Sequence, residues 1–332
     1  MDLDLVFLGT SASAPTAQRA PAAILLRRGG ERVLFDCAEG TQRQLMRSTI
    51  GLPDLEEIFF THFHGDHYFG LPGMLKTFSL RQRDVPLTIY GPPGLRELYG
   101  NLRPLVGRLS YSVELEELRP GDALDRDGYR ILAFPVHHGV AALGYAVVED
   151  ERPGEFDSAA ADALGIPFGP ERGELQRGES VTLEEDRVVT PDMVVGPARP
   201  GRRIVIPGDT APVETVRVLA EGADVLVHEA TFLDDESERA ADTLHSTARQ
   251  AAEIARDADV RLLVLTHVSP RYFGHELARE AKGVFERVAV PKDFDVIEVP
   301  FAERGEPRLI RKGARPEREA REAVSDGVSD TR

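Results

Sequence analysis

Three histidines and one aspartate lie between positions 62 and 67, directly after the apolar run Ile58-Phe59-Phe60: these are His62, His64, Asp66 and His67. Imidazole and carboxylate groups suit Zn²⁺ and similar divalent ions. Gly65 allows a tight turn, so side chains on both sides of it can point into one small volume. The pattern H-x-H-x-D-H therefore predicts a metal site, with one pair of ligands for each of two ions.

Two metal ions held about 3.5–4 Å apart need more ligands than one loop supplies. Three further apolar runs each stop at a candidate: residues 131–136 at His137 and His138, residues 203–207 at Asp209, and residues 261–265 at His267. Ligands at several strand ends can converge on one site. We expect only one of the two adjacent histidines to face the metals, because neighbouring strand residues point to opposite faces.

Apolar, β-branched runs alternate with helical patterns along most of the chain. We expect strands at residues 57–62, 129–137, 203–207, 223–228 and 261–267, and helices that include residues 247–257. Each half goes from mainly strands to alternating strands and helices. This order predicts an α/β fold with two mixed sheets face to face and helices outside.

These segments together resemble the metallo-β-lactamase superfamily and, within it, the ribonuclease Z family, whose members mature the 3′ end of tRNA. The resemblance runs from position 5 to about position 301. It includes the segments Gly9-Thr10-Ser11-Ala12, Phe35-Asp36-Cys37-Ala38-Glu39-Gly40, Gly208-Asp209-Thr210, His228-Glu229-Ala230-Thr231 and His245-Ser246-Thr247. The last two are the segments most specific to ribonuclease Z. The resemblance implies an αβ/βα sandwich, formed here by residues 1–150 and 201–312 as a single domain.

The resemblance also implies roles for individual residues. One zinc ion would be held by His62, His64 and His138, the second by Asp66, His67 and His267, and Asp209 would bridge the two. It favours His138 over His137, since the family's ligand is followed by glycine.

The candidate catalytic residues are Asp66, Glu229 and His245. The resemblance implies that Glu229 orients His245, which gives a proton to the leaving ribose oxygen. The alternatives are structural: Glu229 would only end a strand, and His245 would cap the helix at residues 247–257. We also expect His228 to support the ligands through hydrogen bonds and His275 to lie on the surface.

Residues 151–200 interrupt the alternation of strands and helices and are rich in glycine and proline. A connection this long is more often functional than filler. In ribonuclease Z an inserted arm here grips the tRNA elbow, and its tip would be residues 168–178. The candidate substrate-binding residues are Phe168, Gly169, Pro170, Arg172 and Arg177. Residues 313–332 are polar and predict a disordered or loosely helical tail.

The net charge of −16 is opposite in sign to that expected for a protein that binds RNA. Lysine is scarce, so nearly all of the 40 basic residues are arginine, a composition similar to that of halophilic archaea. At about 1 M salt the Debye length falls to about 3 Å, so distant carboxylates would barely repel RNA. The alternatives are a small-molecule phosphodiesterase or arylsulfatase, and a binding protein without activity.

Cys37 is the single cysteine, which precludes a disulfide within the chain and favours a cytoplasmic protein. The acidic start and the absence of a long apolar stretch predict no targeting or membrane segment. The expected partner is precursor tRNA, with no DNA and no membrane. The resemblance implies a homodimer in which one subunit's arm serves the other's active site.

Overall fold

The apolar runs of the sequence form strands in a computed structural model that describes residues 1–48, 50–52, 55–183 and 187–312. The strands are β1 (Leu3–Gly9), β2 (Ala23–Arg28), β3 (Glu31–Phe35), β4 (Glu57–Phe59), β5 (Leu87–Gly91), β6 (Val113–Glu117), β7 (Ala123–Arg126), β8 (Tyr129–Pro135), β9 (Leu143–Glu149), β10 (Val181–Thr182), β11 (Val188–Val189), β12 (Arg203–Gly208), β13 (Val225–Glu229), β14 (Leu262–Thr266), β15 (Val288–Ala289), β16 (Val296–Glu298) and β17 (Arg308–Ile310). The tail predicted at residues 313–332 lies outside the described residues.

Helices connect many of these strands. They are α1 (Thr41–Arg47), α2 (Gly65–Tyr68), α3 (Leu71–Leu80), α4 (Leu95–Val106), α5 (Ser158–Ala163), α6 (Pro170–Gln176), α7 (Glu214–Leu219), α8 (Ser237–Asp242), α9 (Ala248–Asp257) and α10 (Gly274–Lys282). Within the described ranges, no helix is long and apolar enough to cross a membrane.

Two large sheets contain most of the strands. The first has the order β17-β16-β1-β2-β3-β4-β5-β6, and the second has the order β15-β14-β13-β12-β9-β8-β7. The first sheet is mixed: β1, β2 and β3 pair antiparallel, while β3, β4, β5 and β6 pair in parallel. In the second sheet, β12, β13, β14 and β15 are parallel neighbours. The predicted α/β architecture of two mixed sheets is confirmed.

Aromatic side chains join the two sheets in the core. Phe35 and Phe59 of the first sheet pack against Tyr145 of β9, with ring centroids 5.7 Å and 5.3 Å from the tyrosine ring. All three side chains are fully buried. The Tyr145 hydroxyl donates a hydrogen bond to the Phe60 carbonyl at 2.7 Å, so its polar end is satisfied inside the core.

Two strands end earlier than the sequence predicts, and both ends matter for the site. Strand β4 ends at Phe59, so His62 lies beyond it. Strand β8 ends at Pro135, whose nitrogen cannot donate to a neighbouring strand. His137 and His138 therefore both follow the strand. The expectation that strand alternation separates His137 from His138 was therefore wrong, because neither residue lies in a strand. The two side chains still differ, since His137 is exposed and His138 is half-buried.

Helix α9 presents a row of small apolar side chains to the core. Ala248, Ala251, Ala252 and Ala255 are buried, at the spacing of one helix face. The helix begins at Thr247, whose hydroxyl accepts a hydrogen bond from the Gln250 backbone nitrogen at 3.2 Å. Thr247 is thus the N-cap, and the alternative in which His245 caps this helix is wrong.

The described part of the chain divides into two compact units. The first contains residues 1–123, 132–146 and 204–312, and the second contains residues 124–131 and 147–203. The second unit has its own small core, made of Ala161, Ile166, Leu175, Val181, Val189 and Val194. Most of the insert predicted at residues 151–200 thus folds around a local cluster.

Candidate active site

Three neighbouring parallel strands bring polar side chains to one edge of the second sheet. Asp209 follows β12, Glu229 ends β13 and His267 follows β14. Parallel strands share the same edge at their carboxyl ends, so the three side chains lie together. All three are buried. Asp209 and His267 thus lie at the strand ends where the sequence predicts them.

His62, His64 and His138 form the first cluster at this edge. The Nε2 atoms of His62 and His138 lie 3.0 Å and 3.1 Å from Nδ1 of His64. Nitrogens that share a tetrahedral zinc ion at about 2.0–2.1 Å lie about 3.3 Å apart. Three ring nitrogens converging at this spacing fit one metal ion. His137, in contrast, is exposed and belongs to none of the metal-capable clusters among the described residues.

Asp66, His67 and His267 form a second cluster beside the first. The Nε2 of His267 lies 3.4 Å from Asp66 Oδ2, and that of His67 lies 3.8 Å from the same oxygen. Asp209 Oδ2 lies between the clusters, 3.2 Å from His267 Nε2, 3.4 Å from His67 Nε2 and 3.9 Å from His62 Nε2. The structure thus brings all seven predicted ligands together, with Asp209 in a position from which it can contact two ions.

In His67 and His267, the ring nitrogen other than Nε2 contacts a neighbouring polar group. Nδ1 of His67 contacts Asp36 at 2.8 Å, and Nδ1 of His267 contacts the Thr231 hydroxyl at 2.8 Å. Such contacts orient an imidazole so that Nε2 faces the metal. Nε2 of His67 is buried with no hydrogen-bond partner among the described residues, as expected of an atom whose partner is a metal ion.

Sequence reasoning missed several of these anchoring groups. Asp36 accepts hydrogen bonds from the Thr61 backbone nitrogen and hydroxyl as well as contacting His67. The Ser13 backbone nitrogen donates to Asp66 Oδ2 at 2.8 Å. The Leu244 carbonyl lies 3.1 Å from His138 Nδ1. Asp36 and Thr231 belong to segments that carry the family resemblance, which was their only signal; Leu244 had none.

The ionisation of these groups depends on their neighbours. Burial opposes a charge on Asp209, yet the His267 and His67 imidazoles hold the pKa of Asp209 well below its usual range. Burial likewise opposes a charge on His67, but the carboxylates of Asp209 and Asp36 raise its pKa well above the usual value. Without a metal ion, protons bring positive charge to the buried carboxylates. A dication would replace that charge, which fits the donor set to a metal.

Glu229 and His245 form a close pair beside the seven predicted ligands, and their own donor atoms also belong to metal-capable groups, with His138 and Asp209 or with His267. Oε1 of Glu229 lies 2.7 Å from Nδ1 of His245, and the same oxygen accepts a hydrogen bond from the Thr210 nitrogen at 3.0 Å. Oε2 accepts a hydrogen bond from the Thr231 hydroxyl at 2.6 Å. Burial lowers the pKa of His245, but the Glu229 carboxylate outweighs it and raises the pKa to about 9. The imidazole is therefore held protonated near neutral pH, as a proton donor requires.

Three other residues singled out in the sequence lie outside the clusters. His228 is buried, but its Nδ1 contacts the Glu229 carbonyl at 2.8 Å rather than a ligand side chain, so the expected support of the ligands was wrong. His275 is exposed, as predicted, and stacks on Phe273 with ring centroids 5.7 Å apart. Cys37 is fully buried, and burial raises the pKa of its thiol, which disfavours reactivity.

Backbone strain is concentrated around the site. Ser13, Asp36, Leu244 and His267 are four of the seven non-glycine residues with positive φ in the described chain. The first three contact predicted ligands, and the fourth is one. Positive φ is costly for residues other than glycine and often occurs at functional sites. The fold thus holds the ligand shell in a defined arrangement.

The candidate RNA-binding residues of the insert lie in the second unit. Phe168 is 96% exposed and precedes α6, which begins at Pro170. The Arg172 guanidinium lies 5.7 Å from the Phe168 ring centre, pairs with Asp162 and donates to the Ile166 carbonyl at 2.8 Å. Arg172 therefore braces the segment around Phe168. Arg177 is exposed, 4.0 Å from Glu179.

The family model for the metallo-β-lactamase superfamily matches residues 17–267. Fold, site and match agree, and the chain belongs to this superfamily. It is 48% identical over 311 residues to the ribonuclease Z of Haloferax volcanii, and the alignment covers 91% of this chain and 97% of that relative. It is 50% identical over 271 residues to the ribonuclease Z of Myxococcus xanthus, and that alignment covers 81% of this chain and 88% of the relative. Within the superfamily, the chain is a member of the ribonuclease Z family.

A solved structure agrees with this assignment. The crystal structure of human tRNase Z, short form, matches with a TM-score of 0.66 and 30% identity, covering 90% of this chain and 99% of that chain. The family resemblance inferred from the sequence segments is confirmed.

Proposed function

We propose that the chain is a zinc-dependent endoribonuclease that removes the 3′ trailer of precursor tRNA and leaves a 3′-hydroxyl on the tRNA. Membership of the ribonuclease Z family supports endonucleolytic processing of tRNA 3′ ends. The observation that carries the mechanism is the convergence of seven His and Asp side chains beside the Glu229–His245 pair. This arrangement provides both a metal centre and a proton donor.

The metal-binding residues fall into two sets that share Asp209. His62, His64 and His138 would hold one zinc ion and Asp66, His67 and His267 the other, with Asp209 between them. When bound, two zinc ions supply a nucleophilic water at neutral pH and neutralise charge on the phosphate. Imidazole and carboxylate donors suit Zn²⁺ and other first-row divalent ions, and we propose zinc as the metal.

The protein side chains handle the protons of the reaction. Hydrolysis forms a bond from the water oxygen to phosphorus and breaks the bond from phosphorus to the ribose 3′-oxygen. Asp66 is the candidate acceptor for the proton of the attacking water. His245, oriented by Glu229 through Nδ1, gives a proton from Nε2 to the departing 3′-oxygen. The tRNA keeps a 3′-hydroxyl, and the trailer keeps the phosphate.

The second unit supplies the proposed contact with the tRNA body. Phe168 is an exposed aromatic ring suited to stack on a base or pack against a ribose. Gly169 precedes α6 and Pro170 is the first residue of this helix, while Arg172 and Arg177 are cations near Phe168 in the sequence. We propose that this segment binds precursor tRNA and that two copies of the chain form a homodimer in the cytoplasm.

The acidic composition suggests adaptation to high salt. Relatives from halophilic archaea are 45–48% identical, and the net charge of −16 is consistent with a salt-rich cytoplasm. Under those conditions salt screens the repulsion between protein carboxylates and RNA phosphates at all but the shortest distances. Arginine–phosphate pairs at direct contact retain more of their strength.

A comparison of two substrates tests the proposal. The purified zinc-loaded protein is given a 3′-extended precursor tRNA and a chromogenic nitrophenyl phosphodiester. The proposal predicts a much larger kcat/KM for the tRNA, with one cut at the trailer junction. A larger kcat/KM for the small diester, with no defined cut in the tRNA, would overturn it.

A further inference from the structure

Helix α8 ends in a backbone arrangement that places His245. The His245 nitrogen donates to the Ala240 carbonyl at 2.8 Å, and the Leu244 nitrogen donates to the Ala241 carbonyl at 3.2 Å. This pair of bonds is the Schellman motif, in which one residue adopts the left-handed conformation. Here that residue is Leu244, with φ of 55°. Glycine is usual at this position because it has no side chain to strain.

Leu244 connects two parts of the site through its backbone. The residue that follows it is His245, whose Nδ1 lies 2.7 Å from Glu229. Its own carbonyl lies 3.1 Å from Nδ1 of His138, in the first metal-capable cluster. The carbonyl can only accept, so it fixes the protonated nitrogen of His138 as Nδ1 and leaves Nε2 for a metal ion. A rotation of the Leu244 backbone would move both groups.

We propose that Leu244 is a positioning residue: its left-handed backbone simultaneously sets the orientation of the proton donor His245 and of the ligand His138. This inference rests on the proposed function of the site. It assigns the role to the backbone of Leu244 and not to its side chain. Leu244 acts through its φ angle, so residues that tolerate positive φ should retain the role and β-branched residues should lose it.

The chain contains a matched motif away from the site. Helix α9 also ends in a Schellman arrangement, in which Val260 donates to the Ala255 carbonyl and Asp259 donates to the Arg256 carbonyl, both at 3.1 Å. Asp259 has φ of 47° and an exposed side chain that pairs with Arg287 at 3.8 Å. A substitution at Asp259 strains a helix end in the same way without touching the active site.

Three variants separate positioning from general stability. Leu244→Val should lower kcat on precursor tRNA about tenfold with little change in KM, because β-branching disfavours the left-handed conformation. It should also lose one of two zinc ions faster than wild type during dialysis against a chelator. Glycine adopts this conformation freely, so Leu244→Gly should keep much more of the wild-type kcat and of the bound zinc. Asp259→Val should lower the melting temperature but keep kcat and both ions.

The outcomes distinguish the inference from the proposed function. If wild type cleaves precursor tRNA, and Leu244→Val matches Asp259→Val in kcat and zinc retention, Leu244 is not a positioning residue. Equal losses in Leu244→Gly and Leu244→Val would also overturn the inference, since they would implicate the side chain rather than φ. Failure of wild type to cleave precursor tRNA would instead overturn the proposed function, while the zinc-retention comparison would still test Leu244.

Discussion

Glu229 and His245 lie 2.7 Å apart, and Glu229 is itself fixed by hydrogen bonds from Thr210 and Thr231. The carboxylate is fully buried, so its charge acts on the imidazole through little solvent. The same Thr231 hydroxyl also lies 2.8 Å from Nδ1 of the predicted ligand His267. The proposed proton donor and a predicted metal ligand thus share one hydrogen-bond network.

Replacement of the proton donor should affect chemistry more than binding. His245→Ala is expected to retain both metal ions and a near-normal KM for precursor tRNA, while kcat falls about 10²-fold or more. A nitrophenolate leaving group needs little protonation, so the chromogenic diester should lose much less. Steady-state kinetics on the two substrates measure this difference. An equal loss on both would argue against proton donation by His245.

The dependence of kcat on pH should show the effect of the Glu229 carboxylate on the pKa of His245. Because Glu229 raises the pKa of His245 to about 9, the donor is protonated at neutral pH and loses its proton as the pH rises. In Glu229→Gln that support is removed and burial lowers the pKa, so the alkaline limb of kcat should move to lower pH. Bound metal ions would lower the pKa of His245 in wild type and in Glu229→Gln alike, so the expected direction of the difference between the two proteins stays the same. An alkaline limb that stays in place would contradict the pairing.

Much of the fold and ligand set could be predicted because apolar runs mark strands and strand ends converge. Asp209 and His267 follow β12 and β14, where this logic placed them. The end of β8 at Pro135 was missed because apolar pattern alone does not reveal where a chain leaves a sheet. The left-handed conformation of Leu244 could not be predicted either, since it depends on how α8 ends and not on a preference of leucine.

Changes in the segment around Phe168 should affect the binding of precursor tRNA rather than catalysis. Replacing residues 166–179 with a short Gly-Ser link should raise KM for precursor tRNA and leave the chromogenic reaction intact. Phe168→Ala is the finer variant, since its ring is exposed and its removal leaves no cavity in the small core of the second unit. Kinetics on both substrates provide the measurement. Unchanged kinetics on precursor tRNA in both variants would exclude this segment from RNA binding.

Salt should stabilise the protein and be tolerated in catalysis. With an excess of 16 negative charges, self-repulsion should destabilise the folded chain at low ionic strength. The melting temperature should therefore rise with KCl toward the molar range. Precursor tRNA cleavage should decline less steeply than in most RNA-binding enzymes, whose phosphate contacts weaken as salt rises. A protein most stable at low salt would refute the adaptation.

The most direct test of a two-metal tRNA endonuclease is to map the product ends formed by wild type and Asp209→Ala on one precursor tRNA. Asp209 lies against ligands of both clusters, so its loss should reduce metal content and lower the cleavage rate by orders of magnitude. Asp259→Ala is the control, because it removes an exposed carboxylate outside the active site. It should lower the melting temperature, since φ is positive there, but keep the metal content and cleavage rate of wild type. Wild type should produce a tRNA with a 3′-hydroxyl and a trailer with a 5′-phosphate. Near-normal cleavage and two bound metals in Asp209→Ala, or a tRNA product carrying a 3′-phosphate, would rule out the proposed two-metal mechanism.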